Sequence, residues 1–501
     1  MSKSPGRSGR VLAEPLLCER STPGRRGYDL PPLDVDPVDE ASCWPEALRR
    51  AVPPGLPEVS EVEVARHYTR LSTWNHAVDL AAYPLGSCTM KYNPKINEWA
   101  ARLPGFAGLH PYTPDAMAQG ALRLMFELGQ GLLAITGLDA VTLQPAAGAH
   151  GELTGIMMVR AALADRGEQR RTIICPDSAH GTNPATAALN GYQVKTAPSG
   201  PDGTCDVEAL AKLVDEGVAA VMLTVPNTLG VFEPQIKEIS DLVHARGGFV
   251  YCDGANLNAL MGKALPGAMG VDVMHLNLHK TFSTPHGGGG PGAGPVCVTA
   301  ALDPFLPRPV VARREDAYLL DDDRPKSIGR IRAFNGNFGV LVRAYAYLRE
   351  LGAPGLTRAT ELAVLNANYI RARLGGRYHL PYSTPSLHEV VFSDKQQREE
   401  LGVDNMHIAK RLIDHGFHPP TVSFPLIVRG ALMIEPTETE SPESVEALCQ
   451  AFLDVADEAA RDPETVKSAP HRTHVRRLDE TRAARQPLLT YHDLVNAGSD
   501  G

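Results

Sequence analysis

The feature that most constrains the fold lies between residues 115 and 300, where short apolar stretches rich in β-branched residues alternate with longer stretches of helical periodicity. The pattern predicts strands over residues 140–143, 171–175, 219–225 and 248–253. Between them, Asp206 is expected to cap a helix that ends near Gly217, and Pro234 to open one that ends at Gly247. Strands that alternate with helices are typical of a mainly parallel sheet covered on both faces. The sequence therefore predicts an α/β fold.

After about residue 351 the alternation loosens, which predicts a smaller α+β domain. Its clearest elements are a helix over residues 404–415, a strand over 431–434 and a helix that begins after Ser441. We expect three regions, namely an N-terminal arm with an extended segment, a large cofactor-binding domain, and a small C-terminal domain with a tail (residues 1–110, 111–350 and 351–501). Residues 1–26 are basic and rich in proline and glycine but lack the apolar core of a secretory signal, so we interpret them as a mobile arm.

Composition and charge exclude several classes of protein. With 43% hydrophobic and 21% charged residues, the 501-residue chain is globular rather than disordered. Its net charge of −9 argues against a nucleic-acid partner, and no apolar run approaches the ~18 residues that would span a membrane. The eight cysteines include no C-x-x-C pair, which indicates reduced thiols and a cytoplasmic location.

Two residues in successive predicted strand regions point to a cofactor. Asp253 ends one apolar run, and Lys280 follows the next, 27 residues later (280 minus 253). Enzymes that use pyridoxal 5'-phosphate employ an Asp to keep the pyridine nitrogen protonated and a Lys to bind the aldehyde carbon. Either residue alone is more often a turn cap or a surface lysine. The ordered pair favours a pyridoxal-phosphate site.

A turn between a predicted strand and a predicted helix offers a place for the phosphate. Small residues at 145–152 let the backbone approach an anion, and the free N–H groups of a helix start favour its charge. We expect Gly148, Ala149 and His150 to contact the phosphate, although glycine turns before helices are also common without a ligand. His180 follows the next strand, where its ring would either stack on the pyridine ring or form loop hydrogen bonds.

Three histidines close together raise the question of a metal. His275, His279 and His286 are spaced by four and seven residues, but no carboxylate or cysteine accompanies them in a zinc-site pattern. We therefore predict no metal.

With these residues assembled, the chain closely resembles the pyridoxal-phosphate glycine dehydrogenases (decarboxylating), the P-proteins of the glycine cleavage system. The resemblance is to the C-terminal half, which some bacteria encode as subunit 2. It covers roughly residues 30–490, and its most specific part is His-Lys-Thr-Phe followed by Pro-His-Gly-Gly-Gly-Gly-Pro-Gly within 279–292. The other matching segments are 83–94, 147–152, 180–184, Asp-Gly-Ala-Asn at 253–256, and 434–440.

The resemblance implies a fold-type I, pyridoxal-phosphate-dependent transferase-like fold. It also implies pyridoxal 5'-phosphate bound as an aldimine on Lys280, with Asp253 and His180 as further catalytic residues. Asn256 and His279 join Gly148, Ala149, His150, His180, Asp253 and Lys280 as implied cofactor-binding residues. Ser87, Cys88 and Thr89 either line the substrate pocket or belong to a packed loop.

The reaction implied by the resemblance is decarboxylation of glycine, with release of CO2 and transfer of the aminomethyl group to the lipoyl arm of H-protein. The implied partners are glycine dehydrogenase subunit 1, as a homologous N-terminal half in a heterotetramer, and lipoylated H-protein, with T-protein and L-protein as functional partners. Neither a nucleic acid nor a membrane is expected to bind. Three alternatives stay open: another fold-type I enzyme such as an aminotransferase or cysteine desulfurase, a non-catalytic partner half, or a carrier-binding module.

Overall fold

The computed structural model describes residues 14–52, 54–286 and 292–499. The chain divides into two compact units. One comprises the chain up to Ala77 together with the residues from Arg472 onward, and the other comprises Val78–His471. The division predicted at residues 110 and 350 stays a prediction.

The strands in chain order are β1 (Ala140–Thr142), β2 (Thr172–Pro176), β3 (Gln193–Ala197), β4 (Val218–Thr224), β5 (Phe249–Gly254), β6 (Val273–Leu276), β7 (Val296–Val298), β8 (Val310–Arg314), β9 (Ala317–Asp321), β10 (Val390–Ser393), β11 (Thr421–Val422) and β12 (Ala431–Ile434). The α-helices are α1 (Glu40–Cys43), α2 (Glu61–Ser72), α3 (Lys95–Ala101), α4 (Pro104–Ala107), α5 (Gln119–Thr136), α6 (Gly148–Asp165), α7 (Thr182–Leu189), α8 (Val207–Leu213), α9 (Ile236–Ala245), α10 (Phe338–Leu374), α11 (Lys395–Leu401), α12 (Asn405–Asp414), α13 (Pro442–Arg461), α14 (Pro463–Lys467), α15 (Glu480–Arg485) and α16 (Tyr491–Ser499).

The large sheet of the second unit has the strand order β1-β7-β6-β5-β4-β2-β3. Its strands are parallel from β3 to β6, and β7 runs antiparallel to both β6 and β1. The mainly parallel sheet predicted from the alternation is therefore confirmed. Each of the four predicted strands is present, with ends that differ from the prediction by at most one residue.

Both faces of this sheet are buried, because successive residues of a strand point to opposite faces. In β4, Val221 and Leu223 belong to one apolar cluster, while Ala220 and Met222 belong to another. The helices on the two faces bury an almost continuous apolar run, which is why these strands lack the alternation of polar and apolar residues.

A smaller antiparallel sheet, in the order β10-β12-β11, packs with helices around a separate cluster that includes Phe392, Leu432 and Phe452. Its predicted elements are present. Asp404 caps α12 by accepting a hydrogen bond from the His407 N–H, and Ser441 caps α13. The long helix α10 is interrupted at Gly352, where φ is 58° and ψ is −177°.

The first unit shows that part of the predicted mobile arm is held in place. Residues 1–13 lie outside the described residues, but the Glu14 side chain is buried against Arg70 and His67 of α2. The Thr22 N–H also donates to the Glu58 carbonyl oxygen. Contacts of Glu14 and Thr22 that the sequence does not reveal therefore hold part of this stretch, and the interpretation as a mobile arm stays a prediction. Across the described ranges, no helix has both the length and the apolar character needed to cross a bilayer.

Candidate active site

A cavity of about 680 Å³ opens at the carboxyl ends of the central strands. This is the edge of an open parallel sheet at which ligands bind. Its lining brings together residues from six separate segments of the chain: Ser87, Ala147, Gly148, Ala149, Glu152, His180, Thr182, Thr224, Thr228, Asp253, Ala255, Asn256, His275, Asn277, His279 and Lys280.

The register between β5 and β6 places Asp253 beside His275. The Nε2 atom of His275 lies 3.3 Å from Oδ1 of Asp253. The Tyr251 hydroxyl donates to Nδ1 of His275 at 2.5 Å, which leaves the Nε2–H to face the carboxylate. All three side chains are buried. The histidine ring is therefore held at both nitrogens and fixes the position of Asp253.

The surroundings of Asp253 keep it ionised. Burial alone raises the pKa of Asp253, but His275, the Ala255 N–H and Lys280 outweigh it, so the pKa lies below its usual value. The Ala255 N–H donates to Oδ1 at 2.9 Å, and the Asn183 amide donates to Oδ2 at 3.2 Å.

A second buried carboxylate, Glu152, lies in the same group. The Asn183 amide bridges the two acids, because it also donates to Oε2 of Glu152 at 2.9 Å. The Thr182 hydroxyl donates to Oε1 of Glu152 at 2.7 Å. Burial, and then the charge of Asp253, raise the pKa of Glu152. We call Glu152, Asp253 and His275 the Asp253 cluster. Asp253 carries its negative charge.

Lys280 follows β6 in a turn and is half-buried. Its Nζ donates to the carbonyl oxygen of Ser87 at 2.9 Å. Of the three residues predicted for the substrate pocket, Ser87 lines the cavity. Cys88 is half-buried, and burial raises the pKa of its thiol. Thr89 is buried, and its hydroxyl donates to Glu435, which follows β12 of the smaller sheet.

The predicted phosphate loop forms the start of α6. Gly148 is its first residue, and a Cβ there would lie 2.5 Å from Nδ2 of Asn277. Only glycine fits this position without a shift of Asn277. Ala149 lines the cavity next to it. The His150 ring instead turns back, and its Nδ1 accepts the Ala146 N–H at 3.1 Å.

The remaining predicted cofactor residues surround the cavity. His180 lies at its exposed edge, 5.5 Å from the Phe424 ring between centroids, and its Nδ1 accepts the Thr182 N–H at 3.2 Å. Asn256 is buried and donates to the Pro226 carbonyl at 3.0 Å.

His279 also lines the cavity. Burial, followed by His286 and Lys280, lowers the pKa of His279 to about 3, so its ring is neutral. Its centroid lies 5.1 Å from that of His286 in an edge-to-face arrangement. His275 makes its contacts with Tyr251 and Asp253 instead. The glycines 287–290, which we noted in the specific motif, lie outside the described residues.

Several members of this site were not predicted individually. Glu152 and Asn183 lie within segments that carry the resemblance, but nothing local marks them as partners of Asp253. Tyr251 has the pattern of an apolar strand residue. Outside the cavity lining, His388 and Glu389 are buried directly before β10 and belong to no recognisable motif. The one feature that could have pointed to His388 and Glu389 is that two ionisable residues stand directly before an apolar strand, β10, that is fully buried.

Comparisons with known proteins agree with this arrangement. The family model described as "Glycine dehydrogenase, C-terminal domain" matches residues 359–475, and the one described as "Aminotransferase class-V" matches residues 150–291. The "Probable glycine dehydrogenase (decarboxylating) subunit 2" of Listeria welshimeri is 56% identical over 482 residues, which cover 96% of this chain and 99% of the relative. The protein of the same name from Bacillus licheniformis is 55% identical over 477 residues, with 95% and 98% covered.

Among solved structures, glycine decarboxylase (P-protein) of the glycine cleavage system in inhibitor-bound form is similar to this chain. The TM-score is 0.70 at 21% sequence identity, and the match covers 82% of this chain and 93% of that chain. At this identity the similarity shows the fold alone.

Proposed function

Since this chain belongs to the family of glycine dehydrogenase (decarboxylating) subunit 2, we propose that the cavity around Lys280 and Asp253 is where it binds pyridoxal 5'-phosphate and decarboxylates glycine. The chain is an enzyme of the glycine cleavage system, and its fold is that of the fold-type I pyridoxal-phosphate enzymes. Both expectations from the sequence are confirmed. The roles of individual residues remain our proposal.

The residues of the cavity fit the cofactor group by group. Lys280 supplies the amine for the aldehyde, and ionised Asp253 supplies the negative charge for the ring nitrogen. At the start of α6, the N–H groups of Gly148, Ala149 and His150 have no acceptor inside the helix and suit the phosphate. Thr224 Oγ1 and Asn277 Oδ1 are buried and lack hydrogen-bond partners among the described residues, as polar groups of a ligand-binding cavity would.

When bound, pyridoxal phosphate supplies an electron-accepting ring for the electron pair left behind as the carboxylate of glycine departs. Asp253 supports this by holding a proton on the ring nitrogen, and His275 with Tyr251 prevents the carboxylate from turning away. His279 is neutral, so it adds no positive charge that would hold the departing carboxylate. The amino group of Lys280 is the base that we assign to proton movement in the cavity.

We further propose that the aminomethyl group passes to the lipoyl disulfide of H-protein. One sulfur forms the bond to carbon, the S–S bond breaks, and the other sulfur takes up one proton to become a thiol. Glycine, disulfide and one proton therefore yield CO2 and the aminomethyl-dihydrolipoyl product. The open side of the cavity at exposed His180 is the side from which we expect the arm to enter.

The "subunit 2" of the relatives' name implies a partner subunit 1. We propose that the partner completes the active site, in a heterotetramer, and that T-protein and L-protein act on the later steps. An aminotransferase or cysteine desulfurase activity is not favoured, because relatives at 55–56% identity over nearly the whole chain bear the glycine dehydrogenase name.

The observation that carries the proposal is that Lys280 and Asp253 line one cavity. Borohydride reduction of the cofactor-loaded protein, followed by peptide mapping, should find the pyridoxyl group on Lys280. Lys91 is an internal comparison, because its Nζ is buried and bonded to Glu438 and Asn258. A pyridoxyl group on Lys91 in place of Lys280 would refute the assignment.

The activity itself is tested by exchange of labelled bicarbonate into the glycine carboxylate, with subunit 1 and lipoylated H-protein added. Exchange should require the intact Lys280 side chain, so Lys280→Arg should abolish it. Full exchange by this chain alone, unchanged by subunit 1, would show that the site is complete without the partner.

The phosphate loop has its own matched pair of variants. Gly148→Ala places a methyl group against Asn277, so cofactor affinity should fall by about tenfold or more, or roughly 1.4 kcal/mol. Gly181→Ala is the control, because nothing lies within 4 Å of its new Cβ. Titration of the apoprotein with pyridoxal phosphate measures both. Equal affinities for the two variants would remove Gly148 from the cofactor site.

A further inference from the structure

A second buried group of two acids and one histidine lies at one end of the smaller sheet and contacts the loop that bonds to Lys280. Strands β10 and β12 pair with Val390 opposite Ile434. Glu389 directly precedes β10 and Glu435 directly follows β12. The antiparallel pairing therefore brings both residues to the same end of the sheet. His388 lies between them, with Nε2 at 3.9 Å from a carboxylate oxygen of each. We call these three residues the Glu389 cluster.

The Glu389 cluster is fully buried, since all three side chains are 0% exposed. Neither ring nitrogen of His388 has a hydrogen-bond partner within residues 14–52, 54–286 and 292–499. This is unusual for a buried imidazole and contrasts with His275, which is bonded at both nitrogens.

Both carboxylates hold the loop that contacts Lys280. Glu389 Oε2 accepts the Ser87 N–H at 2.9 Å, and Glu435 accepts the Thr89 N–H at 2.9 Å and the Thr89 hydroxyl at 2.6 Å. Ser87 and Thr89 have φ of 63° and 46°, a backbone region that residues other than glycine rarely adopt. The two glutamates therefore stabilise a strained loop whose Ser87 carbonyl accepts the Lys280 amino group.

The protonation states of the Glu389 cluster depend on its burial and on the charges nearby. Burial, and then the charge of Glu435, raise the pKa of Glu389 well above its ordinary value, and burial also raises the pKa of Glu435. Burial lowers the pKa of His388 to about 3, so its ring is neutral. The cations that face the cluster are Lys280 and Lys91, and Lys91 is already paired with Glu438.

The other titratable group nearby is the Cys88 thiol, whose pKa burial raises, so it stays neutral. Two full negative charges would then face Lys280, which also faces ionised Asp253, because Lys91 is paired with Glu438. One proton bound by the two carboxyl groups neutralises one of their negative charges.

We propose that Glu389 and Glu435 share one proton and act, through the Ser87–Thr89 loop, as positioning residues for the amino group of Lys280. The inference deepens the proposed function, since it rests on the role assigned to Lys280. In this arrangement the cluster carries one negative charge instead of two, which lowers the excess of negative charge around Lys280. Losing the shared proton, or losing the last charge, disturbs the loop and the lysine together.

Isosteric substitutions test the shared proton. Glu389→Gln or Glu435→Gln alone leaves one ionised carboxylate and an acceptor for the loop N–H, so each should retain bicarbonate exchange within about threefold of wild type. The double variant carries no charge and should lose at least about thirtyfold in kcat, with a smaller change in KM. Glu233→Gln is the control, because Glu233 is also buried and also has a raised pKa, but its carboxylate accepts the Cys205 N–H.

The decisive comparison is the coupling between the two substitutions. A double variant far worse than the product of the single effects supports the shared proton. A double variant equal to that product overturns it, because the two carboxylates would then act independently.

Infrared difference spectroscopy of the apoprotein gives a readout that does not depend on turnover. At neutral pH, wild type should show the C=O stretch of a protonated carboxylic acid that either single Gln variant removes and Glu233→Gln leaves in place. Absence of such a band, or its survival in both single variants, overturns the proposal. If wild type shows the band but no exchange with subunit 1 and H-protein, the proposed function fails while the shared proton stands.

Discussion

The Asp253 cluster and the Glu389 cluster contain the same residue types, two carboxylic acids and one histidine, yet their surroundings differ. In the Asp253 cluster, Tyr251, Asn183 and the Ala255 N–H all bond to cluster members, and the pKa of Asp253 falls below its usual value. In the Glu389 cluster, His388 has no described hydrogen-bond partner, and the pKa of both acids rises. In the first cluster the pKa values of the two acids diverge, which places the negative charge on Asp253, whereas in the second cluster the pKa values of both acids rise.

The difference shows that the groups facing a buried carboxylate decide its charge. His275, the Ala255 N–H and Lys280 outweigh the effect of burial on Asp253, whereas burial and the charge of Asp253 raise the pKa of Glu152 although Glu152 accepts two hydrogen bonds. The loop N–H groups that contact Glu389 and Glu435 bond to a neutral acid as well as to a carboxylate, so these bonds are compatible with either charge state.

The largest effect is expected when the negative charge of Asp253 is removed. Asp253→Asn should still bind pyridoxal phosphate but lose glycine exchange by at least about a thousandfold, or roughly 4 kcal/mol, because a neutral amide cannot hold the ring nitrogen protonated. Asp272→Asn is the control, since Asp272 pairs with His244 near the surface. Exchange within threefold of wild type would show that another residue tunes the ring.

A smaller effect should follow from loss of the donor that bridges the two acids. Asn183→Ala removes hydrogen bonds that lower the pKa of both Asp253 and Glu152, so Asp253 should take up a proton at higher pH. We expect the acid limb of the pH–rate profile to move upward and exchange to fall by about tenfold, since a bond to a charged group contributes roughly 1.5–3 kcal/mol. Asn190→Ala, at the end of the same helix, removes a buried amide that bonds to the Thr186 carbonyl. The assignment fails if both variants shift the profile equally.

The smallest expected effect is on the stability of the folded state, and it tests whether the Glu389 cluster holds a proton. A carboxyl group with a raised pKa stabilises the folded state below the ordinary value of 4.5, and this stabilisation is lost as pH rises through the raised pKa. Above pH 4.5, wild type should therefore lose stability relative to Glu435→Gln by about 1.4 kcal/mol per pH unit, or roughly 2 °C in Tm. If the Tm of wild type and the Tm of Glu435→Gln change equally with pH between 5 and 8, the prediction is contradicted.

Much of the fold and part of the site could be predicted from local sequence. The strands of the large sheet are short apolar runs that would be costly to expose, and Asp404 and Ser441 mark helix starts by chemistry that acts within one turn. Asp253 could be predicted because it lies at the end of such a run, and Lys280 because it follows one. His150 lies in the first turn of α6, and the direction of its ring depends on the Ala146 N–H, which the pattern could not show.

The sequence by itself determined the order of strands and helices, the pairing of Asp253 with Lys280 and the resemblance that names the reaction, because these depend on periodicity and on motifs within short segments. Only the tertiary structure decided which side chains meet across strands. Register brings His275 to Asp253, and it brings Glu389 and Glu435 to one end of the smaller sheet. The contact of Ser87 with Lys280 joins residues 193 positions apart. Such contacts follow from the simultaneous burial of many apolar surfaces, which no single segment encodes.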